Sequence, residues 1–418
     1  MSALAICGVA AVLILLRQNL YLVLAVVTAL AYYSVGEPAF VTVVADNWDA
    51  LNKEVLLSIP LYILAGNIMA KGEMADRLVA LMEAATAGIR GGLGLATVLS
   101  CAAFAAVTGS GTVTLLAVGA VMYPALVKAG YPKPLALGLL CCAGTLGIII
   151  PPSIPLILYG VMTQTSIADL FMAGIGPSLL LCLLLATYVL VAGRGVPVGE
   201  FNAAALLTAL KRGLLGLFMP VLILGGIYTG YFTPTESAAV ALVYALIVEV
   251  LIYRELDFSA LFDTVADTGK LLGGLFPVLM MALSFTVFLT YQQVPEQLAA
   301  SLGGIMADKF SFLVVTNVFL LLAGCVMDIG SAILILAPVL QPLAASAGMD
   351  PVHFGIMTVV NLEIGYLTPP LGLNIIVAMG AFKEDFWTIC RAVVPFMLLM
   401  LVGLVVIAWI PQLSLFLL

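Results

Sequence analysis

Twice in this chain, 218 residues apart (369 − 151), a long apolar run carries a polar break at its centre and is followed by a segment interrupted at Pro-Pro. In the first occurrence Thr108-Gly109-Ser110-Gly111-Thr112 precedes Tyr123-Pro124, Ala129-Gly130, Gly147 and Pro151-Pro152. In the second, Met327-Asp328-Ile329-Gly330-Ser331 precedes Gln341-Pro342, Ala347-Gly348, Gly365 and Pro369-Pro370. Few folds tolerate this pattern. Leu93 to Val127, about 35 residues without a charge, would make a straight helix of about 52 Å, against about 30 Å of bilayer hydrocarbon. Both flanks, Arg90 and Lys128, are basic. The run therefore reads as a helical hairpin that enters and leaves on one side, with its tip at Gly109 to Gly111. Phe310 to Ala345 repeats the case around a lone Asp328, entering from the other side.

A chain with 64% hydrophobic residues, 9% charged residues and a mean hydropathy of +1.24 is no ordinary soluble globule. The charge spacing suggests about ten spans plus two special segments, and the runs lack the alternation of a membrane barrel. Ala3 to Leu16 has no basic leader or evident cleavage site and reads as a retained helix. With the N-terminus outside, 13 of the 15 basic residues fall in the cytoplasm, leaving Lys53 and Lys309 outside together with the acidic loop Glu37 to Glu54, Asp169 and Glu296.

The net charge of −7 argues against nucleic acid as a partner. The seven cysteines, Cys7, Cys101, Cys141, Cys142, Cys182, Cys325 and Cys390, lie in apolar runs without CxxC spacing and read as small buried hydrophobes. A single His353 excludes a His-based metal cluster or a Ser-His triad within the chain. The tip serine lacks a general base, and Asp328 and Glu363 occupy non-equivalent positions, so neither a serine nor an aspartyl hydrolase is expected.

The expected fold is an all-α polytopic membrane protein of inverted repeats, each with a re-entrant hairpin and a broken helix. Residues 1–55 form N-terminal scaffold helices. Residues 56–165 form the first repeat, with hairpin 93–127 and broken helix 134–162. Residues 166–270 hold central scaffold helices and cytoplasmic linkers. Residues 271–382 form the second repeat, with hairpin 310–345 and broken helix 352–381, and 383–418 a C-terminal helix. Ile59-Pro60-Leu61 resembles Phe276-Pro277-Val278, and Ala75-Asp76-Arg77-Leu78 resembles Pro295-Glu296-Gln297-Leu298, matching the repeat starts. Gly195 to Arg212 and Glu255 to Lys270 are either interfacial amphipathic helices or solvated loops.

Breaking a helix in hydrocarbon frees backbone groups that cost several kcal/mol unless satisfied, so such breaks line cavities or ion sites. Interrupted helices in corresponding positions of two halves point to the binding site of a secondary transporter. Freed carbonyls with the oxygens of Ser110, Thr112, Thr145 and Ser153 in one unit, and of Asp328, Ser331 and Thr368 in the other, would make two hard-oxygen cages suited to sodium. The amide ends of the half-helices would face an anionic substrate. Asp328, at a tip, is a functional candidate by its cost in the membrane. Glu363, in the place of Thr145, either supports the site or reaches polar neighbours. Glu249 is expected to snorkel or pair with Arg254.

Over essentially its full length the chain resembles the large (M, DctM-like) membrane subunit of tripartite ATP-independent periplasmic (TRAP) transporters. The resemblance lies in SIPLYILAGNIM from Ser58, GTLGIIIPPSIP from Gly144, YFTPTESAAVALVYAL from Tyr231, DPVHFGIMTVVNLEIGYLTPPLGLN from Asp350 and the two tips. It implies a sodium-driven elevator in the bacterial inner membrane, in which both hairpins and both broken helices slide against a scaffold to import an organic acid such as a C4-dicarboxylate, sialic acid or keto acid. It implies two partners besides the lipid bilayer: a small four-helix (Q-type) membrane subunit and a periplasmic (P-type) substrate-binding protein. Carried over by position, the sodium regions fall on Gly109, Ser110 and Thr112 with Gly144, Thr145, Gly147 and Pro151, and on Asp328, Gly330 and Ser331 with Gly365 and Thr368. Substrate contacts fall on Ser110, Gly111, Ser153, Ser331 and Asn374. Family members often have Ser-Ser or Ser-Ala after the first tip glycine. Here Ser110-Gly111-Thr112 leaves open which hydroxyl serves. Thr233-Pro234-Thr235-Glu236 reads as a capping turn. The alternative is a stand-alone sodium-coupled divalent-anion carrier that needs no delivery protein.

Overall fold

The computed structural model describes residues 18–35, 51–294, 309–370 and 372–418, with isolated positions at 6, 8, 9, 12, 13, 16, 41, 44, 45, 48 and 297. Most of the stretch Ala3 to Leu16, with Cys7, Arg17, Glu37 and Pro295-Glu296, lies outside the described residues. Among those described, the regular elements are all helical, and nine helices are long and apolar enough to cross a membrane. The expected all-α, multi-pass membrane fold is what forms.

The first helices are α1 (Leu20–Val35), α2 (Ser58–Lys71) and α3 (Met74–Thr86). Next come α4 (Gly92–Thr108), α5 (Gly111–Lys128), α6 (Lys133–Thr145) and α7 (Ile154–Thr163). The middle of the chain holds α8 (Ile167–Ala192), α9 (Ala203–Tyr228), α10 (Pro234–Leu246), which runs into a π-helical turn Ile247–Tyr253, and α11 (Phe258–Tyr291). The rest is α12 (Lys309–Val326), α13 (Ile329–Ser346), α14 (Pro351–Gly365), α15 (Leu373–Phe382), α16 (Phe386–Trp409) and the short α17 (Gln412–Leu415). Each expected hairpin is thus two helices parted by a two-residue break, and each expected broken helix is two helices parted at a cis Pro-Pro.

Packing recurs between the two sets. α5 lies on α6 as α13 lies on α14, and α4 meets α6 as α12 meets α14. Crosswise, α5 packs on α15 and α13 on α7. The first halves of the broken helices are the core: Ala136 to Thr145 of α6 and His353 to Gly365 of α14 are buried without interruption. Helices buried on every side must be surrounded by protein, and the few polar residues of α14 are enclosed with it. Around them, α10 packs on α2, α9 on α3, and α11 on both α1 and α2.

Three local expectations are corrected. The segments Gly195 to Arg212 and Glu255 to Lys270 form no separate interfacial helices: residues 195–202 and 255–257 are loop, as one reading had it, and the rest of each segment is the first part of a long helix. Asn202 caps α9 and Asp257 caps α11, each accepting backbone N–H bonds, and from those caps the helices continue unbroken into the spans. Glu249 neither snorkels nor pairs with Arg254. It is fully buried in the π-helical turn and accepts the backbone N–H groups of Glu73 and Met74, both at 3.2 Å. Those are unsatisfied amides at the start of α3, where the helix end is electropositive. The Thr233–Glu236 capping turn forms as read, with Glu236 Oε2 accepting from Thr233 N at 2.8 Å and Thr233 Oγ1 from Glu236 N at 3.2 Å.

Candidate functional site

The first tip is held by its neighbours. α4 ends at Gly109 with φ +61°, a left-handed conformation that costs an L-residue about 1–2 kcal/mol. A Cβ there would stand 2.5 Å from the Pro152 carbonyl oxygen. The Gly109 carbonyl accepts from Ile154 N at 3.3 Å, which staples the tip to the start of α7. The second tip is held by its own side chain: Asp328 caps α13, its Oδ2 accepting from Ser331 N at 2.9 Å.

Both tips open onto one cavity of about 200 Å³. Gly109, Ser110, Gly111 and Thr112 line it from one unit, and Asp328, Ile329 and Gly330 from the other. Ile63, Gly66 and Asn67 of α2 and Leu271 and Leu275 of α11 also line it. Among the described residues, Asp328 is the charged group in the lining, and no Lys or Arg belongs to it. Carbonyl ends of α4 and α12 and amide ends of α5 and α13 meet at the tips. The site therefore offers oxygen ligands and partial negative charge to a cation, and N–H groups with partial positive charge to an anion.

Of the residues expected from the sequence, Gly109, Ser110, Gly111, Thr112, Asp328 and Gly330 come together on the cavity. The others are not among its lining residues. Gly147 abuts the Ser110 backbone and Gly144 abuts Leu115. Thr145 is buried and its Oγ1 lies 2.7 Å from Glu363 Oε1. Pro151 is buried in the break, and Ser153 spends its hydroxyl locally, donating to the Ile148 carbonyl and capping α7 through Leu156 N. Gly365 lies against Gly324 of α12, where an added Cβ would stand 2.7 Å from the Gly324 Cα. Thr368 donates to the Ile364 carbonyl at 2.9 Å, and Ser331 contributes its N–H to the Asp328 cap. Asn374 is fully buried; its Nδ2 donates to the Cys141 carbonyl at 2.9 Å and its Oδ1 is unpartnered. His353 lies apart from the tips, with Nδ1 3.3 Å from Ser414 Oγ.

Two polar cavity residues escaped the sequence reading. Asn67, a lone amide in an apolar helix, donates to Thr268 Oγ1 at 2.9 Å and faces the tips from α2. Tyr366 places its hydroxyl 3.2 Å from Thr112 Oγ1, tying the second broken helix to the first tip. An isolated polar residue in an otherwise apolar span was the available signal for Asn67. Outside the spans, Glu384 receives Lys133 Nζ at 3.0 Å and the Tyr123 hydroxyl at 2.9 Å, and these bonds hold its carboxyl below the ordinary value.

Comparison with known proteins agrees with this architecture. Residues 7–413 match the family model described as tripartite ATP-independent periplasmic transporter, DctM component. A C4-dicarboxylate TRAP transporter large permease protein from Pseudomonas aeruginosa is 40% identical over 86% of this chain and 85% of its own length. Its counterpart from Rhodobacter capsulatus is 36% identical over 99% of this chain and 98% of its own. Among solved structures, the Alcanivorax borkumensis YdaH transporter superposes with a TM-score of 0.65 at 17% identity, over 89% of this chain and 88% of that one, a likeness of fold. A match of this extent to the family model, with one relative aligned nearly end to end, makes this chain a member of the DctM component family of the tripartite ATP-independent periplasmic transporters.

Proposed function

We propose that the chain imports an organic acid across the bacterial inner membrane by sodium-coupled secondary transport, with its N-terminus on the periplasmic side. The supporting observation is that two hairpin tips, one bearing Asp328, converge on one cavity that no basic residue among those described lines. An anion entering it meets helix amide ends and requires a cation beside it for charge balance. Asp328 and the freed carbonyls of the tips hold sodium, while Ser110, Gly111 and Asn67 orient the carboxylate. The donor set fits sodium: hard oxygens with few protons attached, at helix ends that carry partial negative charge.

The substrate is a carboxylate, as the names of the Pseudomonas and Rhodobacter relatives suggest. Membership of a tripartite family supports two partners, a small four-helix membrane subunit and a periplasmic binding protein. The hairpins and broken helices form the moving body, and α2 and α11, which also line the cavity, belong to the static frame. The test is uptake of labelled organic acids into liposomes holding this chain and its small subunit, with and without binding protein and an inward sodium gradient. Uptake that needs both is expected. Uptake without the soluble protein would instead assign the chain to the stand-alone carriers.

A further inference from the structure

Thr145 and Glu363 stand 218 residues apart, the same interval that separates Pro151 from Pro369, and their side chains touch: Thr145 Oγ1 to Glu363 Oε1 is 2.7 Å. In two units related by a two-fold axis, a position meets its own equivalent only where the axis passes between them. The exchanged contacts on either side, α5 with α15 and α13 with α7, have the same symmetry. The contact lies deep in the core. Both residues are fully buried, neither lines the cavity, and Glu363 Oε2 has no hydrogen-bond partner.

The Thr145 hydroxyl also lies 2.8 Å from the Cys142 carbonyl, and one turn away on α6 the Cys141 carbonyl accepts from Asn374 Nδ2 at 2.9 Å. Three hydrogen bonds thus cross the seam between the first broken helix and the second, the third running from the Tyr159 hydroxyl to the Pro351 carbonyl at 3.2 Å. Apolar side chains at these places would avoid the desolvation cost. What the polar pair supplies instead is register, since a hydrogen bond in a low-dielectric core is directional where packing is not.

We propose that Thr145 and Glu363 form an axial brace, a hydrogen bond on the internal two-fold axis that locks the two broken helices in register, so that both tips share one cavity and move as one body. Both are positioning residues. The proposal rests on the reading that hairpins and broken helices form the moving domain. A brace on an axis has a property that local roles lack: its two ends are interchangeable.

The experiment compares wild-type chain with Thr145→Val, Glu363→Leu and the exchanged double variant Thr145→Glu/Glu363→Thr, each purified with its small subunit. Tm in detergent and uptake into liposomes are both measured. Each single variant should lose about 2 °C or more of Tm, the order expected for loss of a buried bond in a chain of this size. Each should also lower kcat at least tenfold while KM changes less than twofold. The exchange should regain most of the Tm and bring kcat to within about threefold of wild type.

An exchanged variant that is monodisperse yet no better than the singles overturns the brace, as do singles with wild-type kcat and Tm. If the exchange does not fold, Glu363→Gln decides, because the amide keeps the bond to Thr145: near wild-type kcat and Tm support the brace, and a loss equal to that of Glu363→Leu overturns it. A wild-type chain without uptake refutes the transport reading alone, because the Tm coupling between positions 145 and 363 still tests the brace.

Discussion

The two hairpin tips occupy equivalent places in sequence and are held by different means. Thr108 to Thr112 carries no charge and owes its shape to other elements: Gly109 is left-handed, pressed on Pro152 and bonded to Ile154 N. Met327 to Ser331 needs less help, because Asp328 caps α13 from within the tip and remains solvent-exposed. One turn is thus fixed by tertiary packing and the other by a local hydrogen bond. A charge is affordable only at the second, where the carboxylate faces the cavity and an N-terminal amide satisfies it.

The sharpest way to break this comparison is to add one methyl to each tip. Gly109→Ala meets a strained φ and a carbonyl, with overpacking of about 1–3 kcal/mol on top of the conformational cost. A large fall in Tm and loss of uptake are expected. Gly330→Ala, whose Cβ would meet the Asp328 carboxylate at 3.2 Å, should be tolerated, since a side chain can give way. Equal Tm losses in the two variants would refute the distinction.

Charge and cap can be separated at Asp328. Asparagine caps helices as well as aspartate, so Asp328→Asn should keep Tm close to wild type, whereas Asp328→Ala should cost about 1 kcal/mol of stability. Under the proposed sodium role, both should raise the sodium concentration for half-maximal uptake at least tenfold, and Glu236→Gln at the distant capping box should not. Sodium titrations of uptake read this directly.

Smaller again is the link between units at the first tip. Tyr366→Phe removes the hydroxyl near Thr112 and should raise the substrate KM about fivefold, the equivalent of one ordinary hydrogen bond of about 1 kcal/mol. The smallest effect is at the surface. The carboxyl of Glu384 is held below its usual value near 4.5, with Lys133 as the main cause. Its contribution is therefore present above that value and is lost as pH falls through the lower folded-state value. The Tm difference between wild type and Glu384→Gln should shrink on acidification, and a constant difference would remove the pair from the account.

Much of the fold was legible because membrane insertion leaves so few solutions. Charge spacing marked the spans, and Gly-Ser-Gly, Met-Asp-Ile-Gly and the two Pro-Pro pairs marked all four breaks. The misreadings came where composition is ambiguous. Lys211-Arg212 and the charges from Asp257 to Lys270 looked like interfacial elements, yet caps at Asn202 and Asp257 start helices that continue into the spans. Glu249 looked able to reach water, but its π-helical turn aims it at the start of α3.

The candidate site divides in the same way. The tips were readable from their own residues. Asn67 and Tyr366 were not, because their part depends on which helix faces which tip.

By itself the sequence determined that this chain is a polytopic helical membrane protein with two interrupted units, because hydrophobicity, helix-breaking residues and repeat spacing are local properties. Only the tertiary structure decided that both tips share one cavity, that α2 and α11 close it, and that Thr145 meets Glu363. Those are contacts between segments far apart in the chain, and packing and desolvation select such contacts from the folded whole.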